Sequence, residues 1–229
     1  MKRKFLLSSK AWVAFVIAGA SLTILLASCK KNDPVPEPVG EARVKHVNAV
    51  EGSAAQELYV NNAKLTTSAV AYGSNSDYLV FTSGISTFAS ADAGATTANA
   101  SAQGNVQIGS NLTAIYYING DGTKVLAVLG DDMTTASGKA KVRFININSF
   151  LKANIAVALT GGSNLIPSVG YETASNYIQV DAGTKFTLSA AGVITAPVVD
   201  GTLQAGKNYT IWIDGSSATE LRGHVILQN

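Results

Sequence analysis

The chain has 229 residues, 47% of them hydrophobic and 14% charged, with a formal charge of +2 and a single cysteine. That is enough apolar material for one large or two ordinary domains, and too little charge for a disordered or polybasic protein. One cysteine excludes an intrachain disulfide, so the body must be held by its own core.

Lys2, Arg3, Lys4 and Lys10 form a basic start, and an apolar run from Ala11 to Leu26 follows, broken by Ser21 and Thr23. Leu26-Ala27-Ser28-Cys29 then places small residues just before the only cysteine. This order predicts a lipoprotein signal peptide over 1–28, cleaved between Ser28 and Cys29, with the Cys29 thiol taking the lipid. A membrane-spanning helix is the competing reading, but the run falls short of a span and polar, Pro-rich sequence follows at once. Two or three acyl chains hold a protein on a membrane far longer than one does. The expected state is therefore anchored to a membrane, not spanning it.

Four of the 17 Lys and Arg lie in this leader and all 15 Asp and Glu lie beyond it, so the remainder carries 13 basic against 15 acidic side chains, a formal −2. The apparent basicity leaves with the leader, and with it the case for a nucleic-acid partner. Residues 29–41 are the lipidated cysteine and a tether in which Pro34, Pro36 and Pro38 favour an extended, semi-rigid spacer. Lys30 directly follows Cys29; an Asp there would favour inner-membrane retention, so the expected address is the cell envelope with the outer membrane favoured.

Beyond the tether, apolar residues alternate with period two in short runs separated by Gly, Asn, Asp and Ser, the mark of strands. Asn119-Gly120-Asp121-Gly122 lies between Ala114–Ile118 and Lys124–Leu129 and reads as a hairpin turn. Ala89 to Gln103 is built from small and polar residues and reads as a surface loop or a mobile edge hairpin.

The same segments occur twice. Ala42-Arg43-Val44-Lys45-His46-Val47-Asn48 returns as Ala140-Lys141-Val142-Arg143-Phe144-Ile145-Asn146. Ala71-Tyr72-Gly73, with Asp77-Tyr78-Leu79-Val80, returns as Gly170-Tyr171-Glu172, with Asn176-Tyr177-Ile178-Gln179. Gly84 matches Gly183, Gly109–Thr113 matches Gly206–Thr210, and Val125–Leu129 matches Gly223–Leu227, all at offsets of 97 to 99 residues. A constant offset of this size predicts an all-β protein of two tandem immunoglobulin-like β-sandwich domains, 42–132 and 139–229, each of seven or eight strands in two sheets.

On these motifs the sequence resembles the bacterial domain-of-unknown-function family numbered 4397, whose members are often tandem Ig-like repeats in lipoproteins, especially of Bacteroidota. The resemblance rests on the Ala-Arg/Lys-Val-Lys/Arg strand, the Tyr-Gly…Asp/Asn-Tyr segment and the Gly-Lys/Ser-Asn…Thr strand entry. It covers both repeats and implies a fold and a location, not an activity. Where the family often has aromatic-Val-His-Ala-Ser-Pro-Asp-Ala-Pro, this chain has His46 or Phe144 at the aromatic position. It has Asn48 or Asn146 at the histidine position, and Val50-Glu51-Gly52-Ser53-Ala54 in place of the Pro-rich turn.

No residue set stands out as catalytic. His46 falls where the second repeat has Phe144, which points to packing, and His224 precedes the last strand and is expected to be exposed. Two separated histidines without a second cysteine make a poor transition-metal site, and no Gly-x-Ser-x-Gly elbow frames a Ser-His-Asp triad. Asp131 and Asp132 invite calcium at the domain junction, but no spaced acidic loop completes the six to eight oxygens that calcium takes. Of the tyrosines, Tyr116 and Tyr117 are adjacent, so one must point out of its sheet, and the two are the candidate ligand-facing aromatics. The expected protein is not an enzyme and carries no cofactor. Its expected partners are the membrane, through the lipid on Cys29, and either a glycan or an envelope protein.

Overall fold

The computed structural model describes residues 38–229. Ser28, Cys29, the signal peptide and most of the tether lie outside the described residues. Val39 to Asn229 form one compact unit.

The first eight strands are β1 (Glu41–Asn48), β2 (Gln56–Val60), β3 (Ala63–Lys64), β4 (Leu79–Thr82), β5 (Gly84–Asp92), β6 (Ala98–Val106), β7 (Asn111–Ile118) and β8 (Lys124–Gly130). They form two sheets, in the orders β4-β1-β7-β8 and β3-β2-β5-β6. The remaining strands are β9 (Ala140–Asn146), β10 (Ile155–Leu159), β11 (Asn164–Val169), β12 (Thr173–Ala174), β13 (Ile178–Val180), β14 (Lys185–Ala190), β15 (Val198–Asp200), β16 (Asn208–Asp214) and β17 (Arg222–Leu227). They repeat the pattern as β12-β9-β16-β17, with β13 also on β9, and β11-β10-β14-β15. The fold is all-β and built of sandwiches.

The repeat extends to register. β1 runs parallel to β7 with Val44 opposite Leu112, and β9 runs parallel to β16 with Val142 opposite Tyr209. This order sets the first strand between the fourth and seventh, unlike the ABED and CFG sheets of immunoglobulin constant domains. The sandwich architecture is the expected one; the connectivity is its own.

Alternation decides each core. Val44, Leu58, Phe88, Tyr116 and Leu126 close the first sandwich, with Phe81 and Phe88 edge-to-face at 5.4 Å. Phe144, Val157, Phe186, Leu188 and Ile211 close the second, with Phe144 and Phe186 edge-to-face at 5.0 Å. Asn48 and Asn146 do the same work in both. Each carboxamide oxygen accepts an N–H two residues on (Val50, 3.1 Å; Asn148, 3.2 Å), while each Nδ2 donates to Val70 O or Val169 O at 3.1 Å. The position at which the family often has histidine therefore knits the loop after the first strand to the sheet beyond.

Asn119 caps the expected hairpin, its side-chain oxygen accepting the N–H of Asp121 (3.1 Å) and of Thr123 (2.9 Å), and Gly122 takes the φ of +79° that closes it. Ala89 to Gln103 is not a loop. Its residues lie mostly in β5 and β6, which pair from Gly84–Val106 to Ala91–Ala98 and form the edge hairpin of the outer sheet. Alanine and serine carry little strand propensity, but backbone pairing to a buried β5 overrides it.

Candidate functional site

β16 is buried at all seven positions, which one-sided alternation does not allow. The cause is a third packing layer. Val47, Ala49 and Ile115, which point out of the first sandwich, meet Ile145, Ile147, Trp212 and Ile226, which point out of the second. The inner sheets of both sandwiches are thus covered on both faces, as in strands that read as continuous apolar runs.

Polar groups flank this seam at both ends. Where β8 leaves the first sandwich, the Asp131 side chain is fully buried and ion-paired to Arg143 on β9. Thr113 Oγ1 donates to Asp131 (2.7 Å), and Tyr78 Oη lies 2.6 Å from it. Arg143 also donates to Gly130 O (2.6 Å) and Thr210 Oγ1 (2.9 Å), and Gln228 Nε2 donates to Thr210 (2.7 Å) and Thr113 (3.2 Å). Burial raises the Asp131 carboxyl pKa against the opposing pull of Arg143, and burial with Asp131 nearby drives the Tyr78 hydroxyl well up. The two repeats share a cation over a tyrosine: Lys45 lies 4.9 Å above the Tyr78 ring and Arg143 5.1 Å above Tyr177. Lys45 also donates to Leu227 O across the seam at 2.7 Å, and burial lowers its pKa. Asp132 pairs with Lys141, which with Thr134 holds its carboxyl pKa down at about 2. Asp131 and Asp132, weighed as calcium ligands, are in place the anions that bind β9. Among the described residues no group of three or more His, Cys, Asp or Glu is placed to hold a metal.

At the other end Asp214 gathers the groups. It accepts from Tyr72 Oη (2.6 Å) and lies 2.9 Å from His224 Nε2, while Arg222 reaches across to Glu51 with both terminal nitrogens (2.7 and 3.1 Å). His224 is not exposed as expected. Its ring stacks on Trp212 at 3.7 Å, 4° from parallel, with the Tyr72 ring 5.8 Å away, and a Cβ added at Gly73 would lie 3.7 Å from its Nδ1. Beside this cluster Val50, Glu51, Ile118, Ile147, Phe150 and Ser216 line a cleft of about 190 Å³ between the sandwiches. Phe150, 58% exposed, is the one aromatic in the exposed class among the described residues.

Tyr116 and Tyr117 do point to opposite faces, Tyr116 buried and Tyr117 partly exposed. Tyr116 is fully buried in the first core, and Tyr117 packs into the seam, its hydroxyl 3.5 Å from Glu172. The second sandwich packs against the face on which Tyr117 stands and leaves that ring partly open.

The first sandwich also holds a buried polar chain. Ser90 Oγ donates to Gln56 Oε1 (3.1 Å), Gln56 Nε2 donates to Asp92 (2.6 Å), and Asn99 Nδ2 bonds both (3.1 and 2.7 Å). His46 Nε2 stands 3.2 Å from Ser90 Oγ and donates to it, since that hydroxyl's proton is used; His46 Nδ1 and Tyr116 Oη have no partner. Burial pushes the His46 pKa down to about 4. Gln56 pairs with Asp92 across β2 and β5 as Ile155 pairs with Ala190 across β10 and β14. In this register His46, Gln56, Ser90 and Asp92 stand where the second sandwich has Phe144, Ile155, Leu188 and Ala190. Setting the inward positions of the two repeats side by side is the sequence signal that exposes this set; the His46/Phe144 mismatch alone was visible.

No match is found among the curated proteins. Among solved structures the chain is similar to the Bacillus anthracis TIE protein, at 12% identity and a TM-score of 0.24, over 77% of this chain and 33% of that one. The chain therefore spans about a third of that protein's length. It is also similar to a family 26 carbohydrate-binding module of Eubacterium rectale Amy13K in complex with maltoheptaose (10% identity, TM-score 0.25, 80% and 96% of the chains). A third is a streptococcal virulence factor described by its alpha-glucan binding (7% identity, TM-score 0.23, 76% and 93%). The family model described as a domain of unknown function, DUF4397, matches residues 42–156, from the start of β1 into β10, and the chain belongs to that family.

Proposed function

We propose that the chain is a lipid-anchored envelope protein with a non-enzymatic binding or structural role, its two sandwiches working as one stiff body on a tether. The observation that supports this most is the seam. Its apolar centre is flanked by the Asp131–Arg143 and Asp214–Tyr72–His224 clusters, so the repeats do not hang as separate beads. β1 and β7 run together away from Glu41, where the tether enters, as β9 and β16 run together away from Ala140. The Glu51–Arg222 pair and the Lys152 contact to Gly120 O join the loops at the far ends of these strands. The body then offers the Phe150 cleft at the end of these strands opposite Glu41.

A hydrolase is disfavoured by burial. The serine–histidine contact among the described residues, Ser90–His46, is sealed in the first core with both side chains at 0% exposure. Cys29→Ala should release the protein from the membrane fraction or leave it at its larger, uncut size; unchanged attachment and unchanged size would contradict the anchor. The second reading, a glycan-binding accessory protein, needs an aromatic ring beside hydrogen-bonding groups on an open surface. Tyr116 and Tyr117 do not supply one, whereas Tyr59 does.

A further inference from the structure

We propose that the outer face of β2 and β5 carries a binding trough for a neutral oligosaccharide, with Tyr59 as its aromatic wall. The proposal rests on reading the chain as a binding module and gives that module a ligand class and a place.

Along β2, Gln56, Leu58 and Val60 point into the first core, so Glu57 and Tyr59 point out. The facing residues on β5 are Ala91 opposite Glu57 and Ala89 opposite Tyr59. A large ring beside alanines is left uncovered on that side, and the result is an open trough of about 330 Å³ lined by Tyr59, Asn62, Ala89, Ala91, Thr96 and Ala98. The volume lies at the small end of ligand pockets and suits one or two sugar rings, with further rings running out over the sheet.

The ring is held in place. Tyr59 Oη donates to Glu57 at 3.0 Å; Glu57 also accepts the Gly94 N–H (3.4 Å) and pairs with Lys64 on β3. Fixing the ring before a ligand arrives lowers the ordering cost of binding. The chemistry selects the ligand class. A pyranose presents an apolar C–H face and a rim of hydroxyls, and the trough presents a ring and an alanine floor bordered by Asn62 and Thr96. Glu57 and Lys64 cancel, so nothing there attracts an acidic or basic ligand. The second sandwich lacks the trough: Ala158, Thr187 and Ser189 stand where Tyr59, Ala89 and Ala91 stand in the first. The site therefore belongs to one repeat and is no general property of the fold.

The test uses the full chain in a detergent without a sugar head group, titrated calorimetrically with maltohexaose, cellohexaose and xylohexaose. At least one should bind, and Tyr59→Ala should weaken it by about tenfold or more through loss of the ring contact. Tyr59→Phe keeps the ring and should stay within about threefold. Ala89→Leu fills the trough with Tyr59 intact and should also abolish binding, which guards against misfolding of the Tyr59→Ala chain; Phe150→Ala should change nothing. No heat from any of the three, or binding indifferent to both Tyr59→Ala and Ala89→Leu, overturns the trough. An envelope protein captured equally by wild type and Tyr59→Ala would overturn it too, while leaving the binding-module reading standing.

Discussion

Arg143→Ala should destabilise the protein by about 3–5 kcal/mol, the usual cost of stripping one partner from a buried ion pair. The side chains of Arg143 and Asp131 are 5% and 0% exposed, and among the described residues Asp131 has no second cation within ion-pair distance. The substitution leaves a carboxylate in a site whose burial already raises its pKa, and it also removes donors to Gly130 O and Thr210. Because the damage falls on the seam, urea unfolding should change from one transition to two. The double variant Asp131→Leu/Arg143→Met removes both charges and should recover most of the loss, since apolar replacement of a buried pair is often neutral or stabilising. A single-variant cost below about 1 kcal/mol, the range of exposed pairs, would show that solvent reaches Asp131.

The second large effect is acid sensitivity seated in the first sandwich. His46 is neutral in the folded protein, with its pKa lowered to about 4 by burial. Unfolded, an imidazole titrates near 6.5. Above that pH neither state binds the proton and His46 contributes no pH dependence. As pH falls from about 6.5 to about 4, the unfolded chain takes up a proton that the folded chain refuses, so stability drops by roughly 3 kcal/mol over the window. The Asp92 and Asp132 pKa values are lowered by their hydrogen bonds and the Asp131 pKa is raised by burial, so these groups also link stability to pH and the clean measure is a difference. Phe144 shows that the fold accepts phenylalanine at this place. The unfolding free energy of His46→Phe minus that of wild type should rise steadily from pH 6.5 down to pH 4 and stay flat above 6.5. A difference flat throughout would mean that His46 takes its proton in the folded state.

Much of the fold was legible because it is written twice. The repeated Ala-x-Val-x strands became β1 and β9, and Asn119–Gly122 became the hairpin turn. The stretch from Ala89 to Gln103 was legible only as a choice between a loop and an edge hairpin, because alanine, serine and asparagine carry no strand pattern of their own; the structure has the hairpin. Ser90, Asp92 and Asn99 make sense there only once Gln56 and His46 stand across from them. Strand order was not legible either, since setting β1 between β4 and β7 depends on pairings far apart in the chain.

The seam was hidden from the sequence reading for a definite reason. Lys45, Lys141 and Arg143 sit on the outward parity of β1 and β9, where charge normally means water. They face another protein surface instead, and each has a partner there: Lys45 with Leu227 O, Lys141 with Asp132, Arg143 with Asp131. The signal that remained was β16, where Trp212 breaks the parity of Tyr209, Ile211 and Ile213. A strand apolar on both faces needs two covers, and the second cover is the neighbouring sandwich. The same packing partly covers Tyr117, as the first core covers Tyr116, and leaves Tyr59, on an outer sheet, as a tyrosine with space beside it.

The central claim is that the two repeats form one rigid body across this seam, and residual dipolar couplings of backbone amides in the Val39–Asn229 unit test it most directly. Couplings from β1–β8 and from β9–β17 should fit a single alignment tensor, with the two sandwiches oriented as described. Two tensors of different magnitude would contradict the claim, because they would show the sandwiches tumbling independently about the Asp131–Lys139 connection.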